Sequence, residues 1–344
     1  MGIDSKFNIK IGDFRKGKNN LITDIDGVKV GHVTLNKGDI KTGVTAILPH
    51  SENIFKEKVM ASSYVINGFG KSMGLIQIEE LGNIETPIIL TNTLSIGTAC
   101  NGLIKYMLSE NEDIGDTTGT VNPIVLECND GFLNNIRRFS LKEEHVLDAI
   151  KNAKEIFDEG SVGAGTGMSC YQLKGGIGSS SRIIKLDKKE YTVGSLVLSN
   201  FGLKKDLMIN GEKLIKETFD NEILELEKGS IIIIIATDIP LSERQLKRLS
   251  KRASISLGRT GSNLGNGSGD IVVTFTTRNK INHYEKRDIV DINIINENKI
   301  DLVFRALIES VEESIISSMI NSKETIGRKN NTRKSILEYL NKTV

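Results

Sequence analysis

The stretch LELEKGSIIIIIATDIPL, residues 224–241, gives the clearest indication of the fold. Five consecutive isoleucines, residues 231–235, follow a Gly-Ser pair and an acidic segment. A continuous β-branched run of this length predicts a strand that is buried on both faces. The run therefore puts Gly229 and Ser230 at the point where a loop enters a central strand.

Further β-branched runs indicate that this strand belongs to a larger sheet system. They occur at residues 44–49, 86–92, 122–127, 191–200 and 270–277. Helical periodicity lies between and after them, at residues 96–107, 146–157, 242–257 and 302–319. The chain has only four prolines, no repeat and no linker-like tract. We therefore predict one α/β domain, residues 1–344, with a sandwich core of about six central strands.

Two helix ends carry capping signals. Ser242 and Gln245 form the pattern of a capping box at the start of the third helix. Gly160 is placed to end the second helix, whose predicted inner face includes Val146, Leu147 and Phe157. The charged segment at residues 203–229 lacks a strong period and is predicted to be a surface loop leading to Ser230.

Charge and composition exclude several classes of protein. Forty-five Lys and Arg residues balance 44 Asp and Glu residues, which argues against binding to nucleic acid or to an anionic membrane surface. The sequence has no apolar segment of signal-peptide or membrane-spanning type, so a cytoplasmic protein is expected. Three cysteines and four histidines are scattered without metal-ligand spacing. We expect no metal and no cofactor.

Glycine is concentrated in three segments, residues 66–71, 160–182 and 258–270. The longest of them fails both the dinucleotide-binding pattern and the P-loop pattern, because Met168 and the absence of a Gly-Lys pair break the spacing. The glycines instead predict tightly crossing backbone around one shared centre. Lys174 and Arg182 border the longest segment and are candidates to bind a substrate carboxylate.

Polar side chains occur where the predicted strands begin or end. Ser230 opens one strand, Asn200 closes another, and Ser268 and Asp270 precede a third. A nucleophile, an oxyanion donor and a polarising carboxylate are the groups that acyl transfer requires. Each residue taken alone is more typical of a turn or a strand boundary, so the residues by themselves leave both interpretations open.

Seven motifs, in order along the chain, favour the catalytic interpretation of these residues. They are NGFGK, GLIQIEELGNIETPIILTNTLSIG, ECNDGFLNNI, GSVGAGTGMSCYQLKGGIGSSSR, LVLSNFG, KGSIIIIIATDIPLSERQLKRLSKRA and RTGSNLGNGSGDI. Together they resemble the DmpA-like family of L-aminopeptidase/D-esterases and serine β-aminopeptidases over about residues 20–330. The resemblance implies a four-layer αββα sandwich similar to that of N-terminal nucleophile hydrolases. It also implies self-cleavage between Gly229 and Ser230 into an α chain, residues 1–229, and a β chain, residues 230–344.

The resemblance further assigns roles around the new N-terminus. Ser230 would be the nucleophile, Ser268 and Asp270 would relay protons or polarise it, and Asn200 would donate to the oxyanion. Asp270 stands where some relatives have Glu.

Substrate contacts follow from the same resemblance. Glu127 would hold the free amino group of the substrate, and Asn129 would lie near the oxyanion, where some relatives have Tyr. The implied substrates are small peptides, amides or esters with a free amino group, and the implied assembly is a homo-oligomer of processed αβ units. L-, D- and β-aminoacyl substrates all remain open.

Two alternatives belong to other functional classes. One is an acyltransferase similar to ornithine acetyltransferase, which also cleaves itself but uses threonine as the nucleophile. The other is a scaffold in which the bond before Ser230 is never cut.

Overall fold

A computed structural model describes residue 7 and residues 9–215 and 226–340. The strands of this part of the chain are β1 (Lys29–Lys37), β2 (Ile40–Leu48), β3 (Glu57–Gly68), β4 (Asn83–Ile84), β5 (Ile88–Asn92), β6 (Ile124–Cys128), β7 (Ser169–Cys170), β8 (Leu173–Lys174), β9 (Ile177–Leu186), β10 (Lys189–Asn200), β11 (Met208–Ile209), β12 (Glu212–Lys213), β13 (Lys228–Thr237), β14 (Gly267–Asn282), β15 (Thr325–Ile326) and β16 (Thr332–Arg333). The helices are α1 (Leu75–Leu81), α2 (Ile96–Glu110), α3 (Glu143–Lys151), α4 (Glu243–Arg259), α5 (Ile300–Ile320) and α6 (Leu337–Leu340).

Two sheets form the centre of the molecule. One has four strands in the order β1-β2-β5-β6, and the other has six in the order β4-β3-β14-β13-β10-β9. The two sheets share a hydrophobic core, while α2 and α3 pack on the smaller sheet and α4 and α5 pack on the larger one. Helices thus cover the outer face of each sheet. The predicted four-layer αββα sandwich is confirmed.

The isoleucine run connects two hydrophobic cores. Ile232 and Ile234 belong to the core between the sheets, whereas Ile231, Ile233 and Ile235 belong to the core beneath α4 and α5. All five side chains are fully buried. Burying an isoleucine stabilises the fold by about 1.5–3 kcal/mol before the loss of chain entropy is counted, so β13 is firmly fixed in the middle of the molecule.

All six predicted strands are present, and three long ones were not predicted, namely β1, β3 and β9. The second predicted helix is shorter than expected. It ends at Lys151, because Lys154 leaves the helical path and exchanges backbone hydrogen bonds with Val30 at the edge of β1. Phe157 and Gly160 therefore lie outside the helix, and Leu147 is 39% exposed rather than on the inner face.

The capping box at the start of α4 forms as predicted. The Ser242 hydroxyl accepts a hydrogen bond from the Gln245 backbone N–H at 3.3 Å, and the Ser242 N–H donates to the Gln245 side chain at 3.2 Å. Of the predicted loop at 203–229, residues 216–225 lie outside the described residues. Its described ends are not simply loop, since they contain the short β11–β12 hairpin and the start of β13.

The contact between α5 and the larger sheet is lined by hydroxyl groups. Ser195 on β10 hydrogen-bonds to the hydroxyls of Ser310 and Ser314 at 2.8 Å each, and Ser180 on β9 donates to the Ser310 carbonyl at 2.7 Å. Gly178 lets the helix approach the sheet closely, because a Cβ there would lie 2.0 Å from the Ser314 carbonyl oxygen. Small side chains therefore allow this tight contact, and mutual hydrogen bonds satisfy their buried hydroxyls.

No helix among the described residues is both long enough and apolar enough to cross a membrane.

Substituting Gly178 tests the importance of the close approach. Gly178→Ala should lower the free energy of unfolding by about 1–3 kcal/mol, because the new methyl group forces α5 away from β9. Gly258→Ala in α4 is the matched control, since its Cβ would meet no atom within 4 Å. The control should raise the free energy of unfolding by about 0.4–1 kcal/mol. Urea denaturation in a Ser230→Ala background would measure both, and equal stability of the two variants would contradict the prediction.

Candidate active site

Ser230 lies at one end of the larger sheet, between two neighbouring strands. It is opposite Asn200 in the antiparallel pair of β13 with β10, and opposite Gly269 in the parallel pair of β13 with β14. Its side chain is almost completely buried. The strand ends that carry the predicted polar residues therefore meet around Ser230.

The peptide bond before Ser230 has an unusual backbone. Gly229 has a φ of +155°, and a Cβ at this position would lie 2.2 Å from the Asn200 carbonyl oxygen. Only glycine fits there. The Ser230 hydroxyl donates a hydrogen bond to the Gly229 carbonyl oxygen at 2.5 Å, which holds Oγ close to the carbonyl group of its own preceding peptide.

Ser268 and Asp270 form a buried pair on β14. The Ser268 hydroxyl donates to Asp270 Oδ1 at 2.6 Å, and Asp270 Oδ2 has no hydrogen-bond partner among the described residues. Burial raises the pKa of the Asp270 carboxyl from 3.8 to about 6, although the Ser268 hydrogen bond opposes the shift. In this structure the pair lies beside the Gly229–Ser230 peptide without a direct hydrogen bond to the Ser230 hydroxyl.

Two hydrogen bonds fix the side chain of Asn200. Its Oδ1 accepts from the Ser169 backbone N–H at 2.8 Å, and its Nδ2 donates to the Asn129 carbonyl at 3.0 Å. The amide nitrogen carries two N–H groups, and the bond to Asn129 uses one of them. The second N–H is a suitable donor for an oxyanion at Ser230, the residue opposite Asn200 in the sheet.

Glu127 provides the carboxylate of the site, near the end of β6. Its Oε1 accepts from the Lys71 backbone N–H at 2.8 Å, and its other oxygen accepts from the Thr93 hydroxyl. Burial raises the pKa of Glu127, and the two hydrogen bonds partly offset this shift. A substrate ammonium group would relieve the cost of this buried charge.

Asn129 lies at the end of β6, next to Asn200, and its place near the oxyanion stays a prediction. Its side-chain oxygen accepts from the Gly131 N–H at 2.9 Å in a local turn, while its carbonyl oxygen holds Asn200. The residue lines the same cavity as Ser230. In this arrangement its main contact with the site passes through Asn200.

These groups surround a cavity of about 500 Å³. Ser230, Gly229, Asn200, Glu127 and Asn129 all line it, whereas Ser268 and Asp270 lie behind Ser230. The cavity wall also contains residues that sequence reasoning missed, among them Phe69, Lys71, Thr93, Phe132, Gln172, Lys228 and Arg333. Such a cavity can hold a molecule as large as a short peptide.

Glu227 is a further missed residue, three positions before Ser230. Its carboxylate accepts from the Ser262 hydroxyl at 2.6 Å and from the Asn263 N–H at 2.9 Å. A Cβ on Gly265 would lie 2.4 Å from the Glu227 carbonyl oxygen. The segment before the Gly-Ser bond is thus held against the loop that leads into β14. In the sequence, only its place shortly before the Gly-Ser pair could have indicated this residue.

The prediction that Lys174 and Arg182 could meet a substrate carboxylate is wrong. The Lys174 ammonium is completely buried and donates to the carbonyls of Gly165 and Met168 at 3.0 and 2.9 Å. Burial lowers its pKa from 10.5 to about 7. Arg182 is equally buried, and two glutamates on α5 bind its guanidinium. Both cations stabilise the fold away from the cavity.

Among the described residues, no group of three or more His, Cys, Asp or Glu side chains is placed to hold a metal ion.

Comparison with known sequences gives a consistent result. The family described as Peptidase family S58 matches residues 20–333. The chain is 35% identical to beta-peptidyl aminopeptidase BapA of Sphingosinicella microcystinivorans, over 91% of this chain and 84% of that protein. The enzyme of the same name from Sphingosinicella xenopeptidilytica is 34% identical, with the same coverage.

Solved structures share the whole fold. The PH0078 protein of Pyrococcus horikoshii OT3 is 54% identical, with a TM-score of 0.92 over 98% of this chain and 97% of that one. The L-aminopeptidase D-Ala-esterase/amidase of Ochrobactrum anthropi is 32% identical, with a TM-score of 0.90 over 98% of both chains. The latter is described as a prototype for the serine aminopeptidases and a new variant of the Ntn hydrolase fold. The predicted similarity to N-terminal nucleophile hydrolases is therefore confirmed.

The raised pKa of Asp270 predicts a pH-dependent effect on stability. Between about pH 4 and 6 the native carboxyl keeps a proton that the unfolded chain has lost, so Asp270 favours the native state as the pH falls. Asp270→Asn removes this titration. The stability of Asp270→Asn relative to its parent should therefore be greater at about pH 7.5 than at about pH 4.5.

Urea denaturation at the two pH values, with Ser230→Ala as the parent of both proteins, would measure the difference. Other buried carboxyl groups are present in both proteins and cancel in the comparison. A stability difference that is the same at both pH values would contradict the raised pKa.

Proposed function

Since this chain belongs to peptidase family S58 and is a peptide-bond hydrolase of the aminopeptidase type, we propose that Ser230 first cuts the Gly229–Ser230 bond and then serves as the N-terminal nucleophile. The products of the cut are an α chain, residues 1–229, and a β chain, residues 230–344. The observation that carries this proposal is the contact between the Ser230 hydroxyl and the Gly229 carbonyl, 2.5 Å apart at a position where only glycine fits.

Self-cleavage proceeds as an N-to-O acyl shift. Ser230 Oγ attacks the Gly229 carbonyl carbon and loses its proton, and the Ser230 nitrogen takes up a proton as the peptide C–N bond breaks. The result is an ester between Gly229 and the Ser230 side chain. Water then hydrolyses the ester and leaves a carboxylate on Gly229 and an α-amino group on Ser230.

The geometry at Gly229 favours this shift. Gly229 has no Cβ, so its carbonyl carbon is open to Ser230 Oγ, and its hydrogen bond to the Ser230 hydroxyl holds the two groups together. Glu227 holds the preceding segment through Ser262 and Asn263, so the peptide bond cannot easily move away from Oγ. The Ser268–Asp270 pair beside the bond is suited to move or polarise protons.

Turnover uses the amine that cleavage releases. An α-amino group has a pKa of about 7.7–8.0, so its neutral form can accept the Ser230 hydroxyl proton near neutral pH. Oγ attacks the substrate carbonyl, Asn200 donates to the developing oxyanion, and the leaving amine departs with a proton. Water then releases the acyl group from Ser230.

Glu127 anchors the amino group of the substrate. Its buried carboxylate faces the same cavity as Ser230. The substrates we propose are small peptides, amides or esters with a free amino group, and the names of the relatives include both β-peptidyl and L-aminoacyl activities. The family match favours this aminopeptidase function over the acetyltransferase and over the uncut scaffold. Assembly into a homo-oligomer and a cytoplasmic location remain predictions.

The proposed cleavage can be tested directly on a denaturing gel. Wild-type protein should give two fragments, and N-terminal sequencing of the smaller one should read Ser-Ile-Ile-Ile, because the cut precedes Ser230. Ser230→Ala lacks the attacking oxygen and should remain one chain of 37.8 kDa. Ser254→Ala on the exposed side of α4 is the matched control and should be cut normally. Wild-type protein that stays intact after prolonged incubation would falsify the cleavage.

The proposed role of Asn200 predicts a loss of turnover. Asn200→Ala removes an N–H donor to the oxyanion, so kcat should fall by about 10² or more once the chain has been cut. Steady-state hydrolysis of an aminoacyl p-nitroanilide, normalised to the cut fraction, would give the ratio. Circular dichroism would check that the fold survives. A kcat within threefold of wild type would remove Asn200 from the oxyanion site.

A further inference from the structure

Two of the three cations that line the active-site cavity lie at one end of it, while the third, Lys71, has its ammonium 5.5 Å from the centre of the Phe69 ring. Arg333 and Lys228 line this cavity and also an adjoining cavity of about 540 Å³, together with Phe132. Glu127, Lys71 and Thr93 line the first cavity but not the second. The combined cleft thus has a Glu127 end and an Arg333 end.

Arg333 reaches the cleft from the C-terminal part of the chain. The β15–β16 hairpin docks on the loop after β6, where the Arg328 N–H donates to the Leu133 carbonyl at 2.7 Å and Asn331 Nδ2 donates to the Phe132 carbonyl at 2.8 Å. These contacts fix the position of Arg333 at the end of the hairpin.

The guanidinium group of Arg333 is held in a defined orientation. Its central carbon lies 3.6 Å from the centre of the Phe132 ring, and its Nε donates to the Ser169 hydroxyl at 3.1 Å. Stacking and an edge hydrogen bond orient a planar group that has five N–H donors. Such a fixed fork matches the two oxygens of a carboxylate better than a lysine ammonium does.

A chain of hydrogen bonds orders the groups along the cleft. Arg333 binds the Ser169 side chain, the Ser169 N–H binds the Asn200 side chain, and Asn200 binds the Asn129 carbonyl, two residues after Glu127. Asn200 is the residue opposite Ser230. Ser230 and Asn200 are thus connected to Arg333 through Ser169 and to the strand of Glu127 through Asn129.

We propose that Arg333 binds the C-terminal carboxylate of the leaving amino acid, so that the preferred substrates are short zwitterionic peptides. This inference rests on the proposed function, in which Glu127 takes the amino group. A carboxylate at one end of the cleft and cations at the other complement a molecule with an ammonium and a carboxylate at its two ends. Arg333 then determines specificity without taking part in bond making or breaking.

The test compares a dipeptide with its C-terminal amide. The substrates are L-Ala-L-Ala and L-Ala-L-Ala-NH₂, with the β-alanyl pair in parallel, and initial release of the N-terminal residue is followed by chromatography. Wild type should favour the free acid over the amide by about tenfold or more in kcat/KM, because the amide cannot form the charged contact.

Replacing Arg333 should remove this preference. Arg333→Met should lower kcat/KM for the acid about 10- to 100-fold, mainly through KM, while the amide changes far less. Arg333→Lys should keep part of the preference, since it retains the charge without the planar fork. Arg328→Met is the matched control, because Arg328 belongs to the same hairpin and does not line the cleft; its acid-to-amide ratio should equal that of wild type. Lys228 is left unchanged because it directly precedes the Gly-Ser pair.

Failure of this inference is distinguishable from failure of the proposed function. If wild type hydrolyses neither the acid nor the amide of either pair, the proposed turnover of L- and β-aminoacyl substrates at Ser230 fails, and the inference fails with it. If wild type hydrolyses acid and amide equally well, the function stands and the carboxylate site is wrong. An equal loss for both substrates in Arg333→Met would also overturn it, and would indicate that Arg333 acts only by supporting Ser169 and Asn200.

Discussion

The position of β13 between β10 and β14 is the constraint on which the rest of the structure depends. Its isoleucines are buried in two cores, so the strand can neither slide nor tilt without exposing one set of them. Its first residues are fixed by the same packing. Gly229 lies so close to the Asn200 carbonyl that no side chain fits, and Ser230 is held level with the ends of both neighbouring strands. A reactive arrangement at the strand start is thus maintained by burial far along the strand.

The sequence was most informative where a strand is buried by apolar residues on both faces. The strands at the isoleucine run and at the five similar runs could be predicted, because an unbroken series of β-branched residues is visible in the local sequence. The unpredicted β9 shows the limit of this reasoning. Its sequence, IGSSSRIIKL, reads as polar, yet its three serines are buried because each hydroxyl has a partner in another part of the fold. Ser179 donates to the Ser195 carbonyl on β10, Ser180 to the Ser310 carbonyl on α5, and Ser181 to the Asp24 carboxylate. These partners lie 16, 130 and 157 positions away in the sequence, so no local pattern reveals them.

Part of the site could be predicted and part could not. Ser230, Asn200, Ser268 and Asp270 lie at the ends of three strands, and the structure brings these three strand ends together. The prediction for Lys174 and Arg182 is wrong, because a cation that borders a glycine-rich segment in the sequence need not lie near a ligand in the fold. Lys174 is instead used to satisfy backbone carbonyls. Arg333 comes from a basic tail whose docking depends on backbone contacts, which leave no trace in residue type.

The strand order of the larger sheet limits when the chain can be cut and keeps its two pieces together. Strand β13 begins two residues before Ser230 and β14 follows it in sequence, yet the two strands lie in the middle of the sheet, with β3 and β4 on one side and β10 and β9 on the other. Without this central pair, residues 1–229 would leave two narrow ribbons with open edges, and such ribbons are marginally stable in water. Neither piece is a folding unit on its own. Folding must therefore precede any cut at Gly229, and the two pieces of a cut molecule would stay interlocked until the whole sheet unfolds.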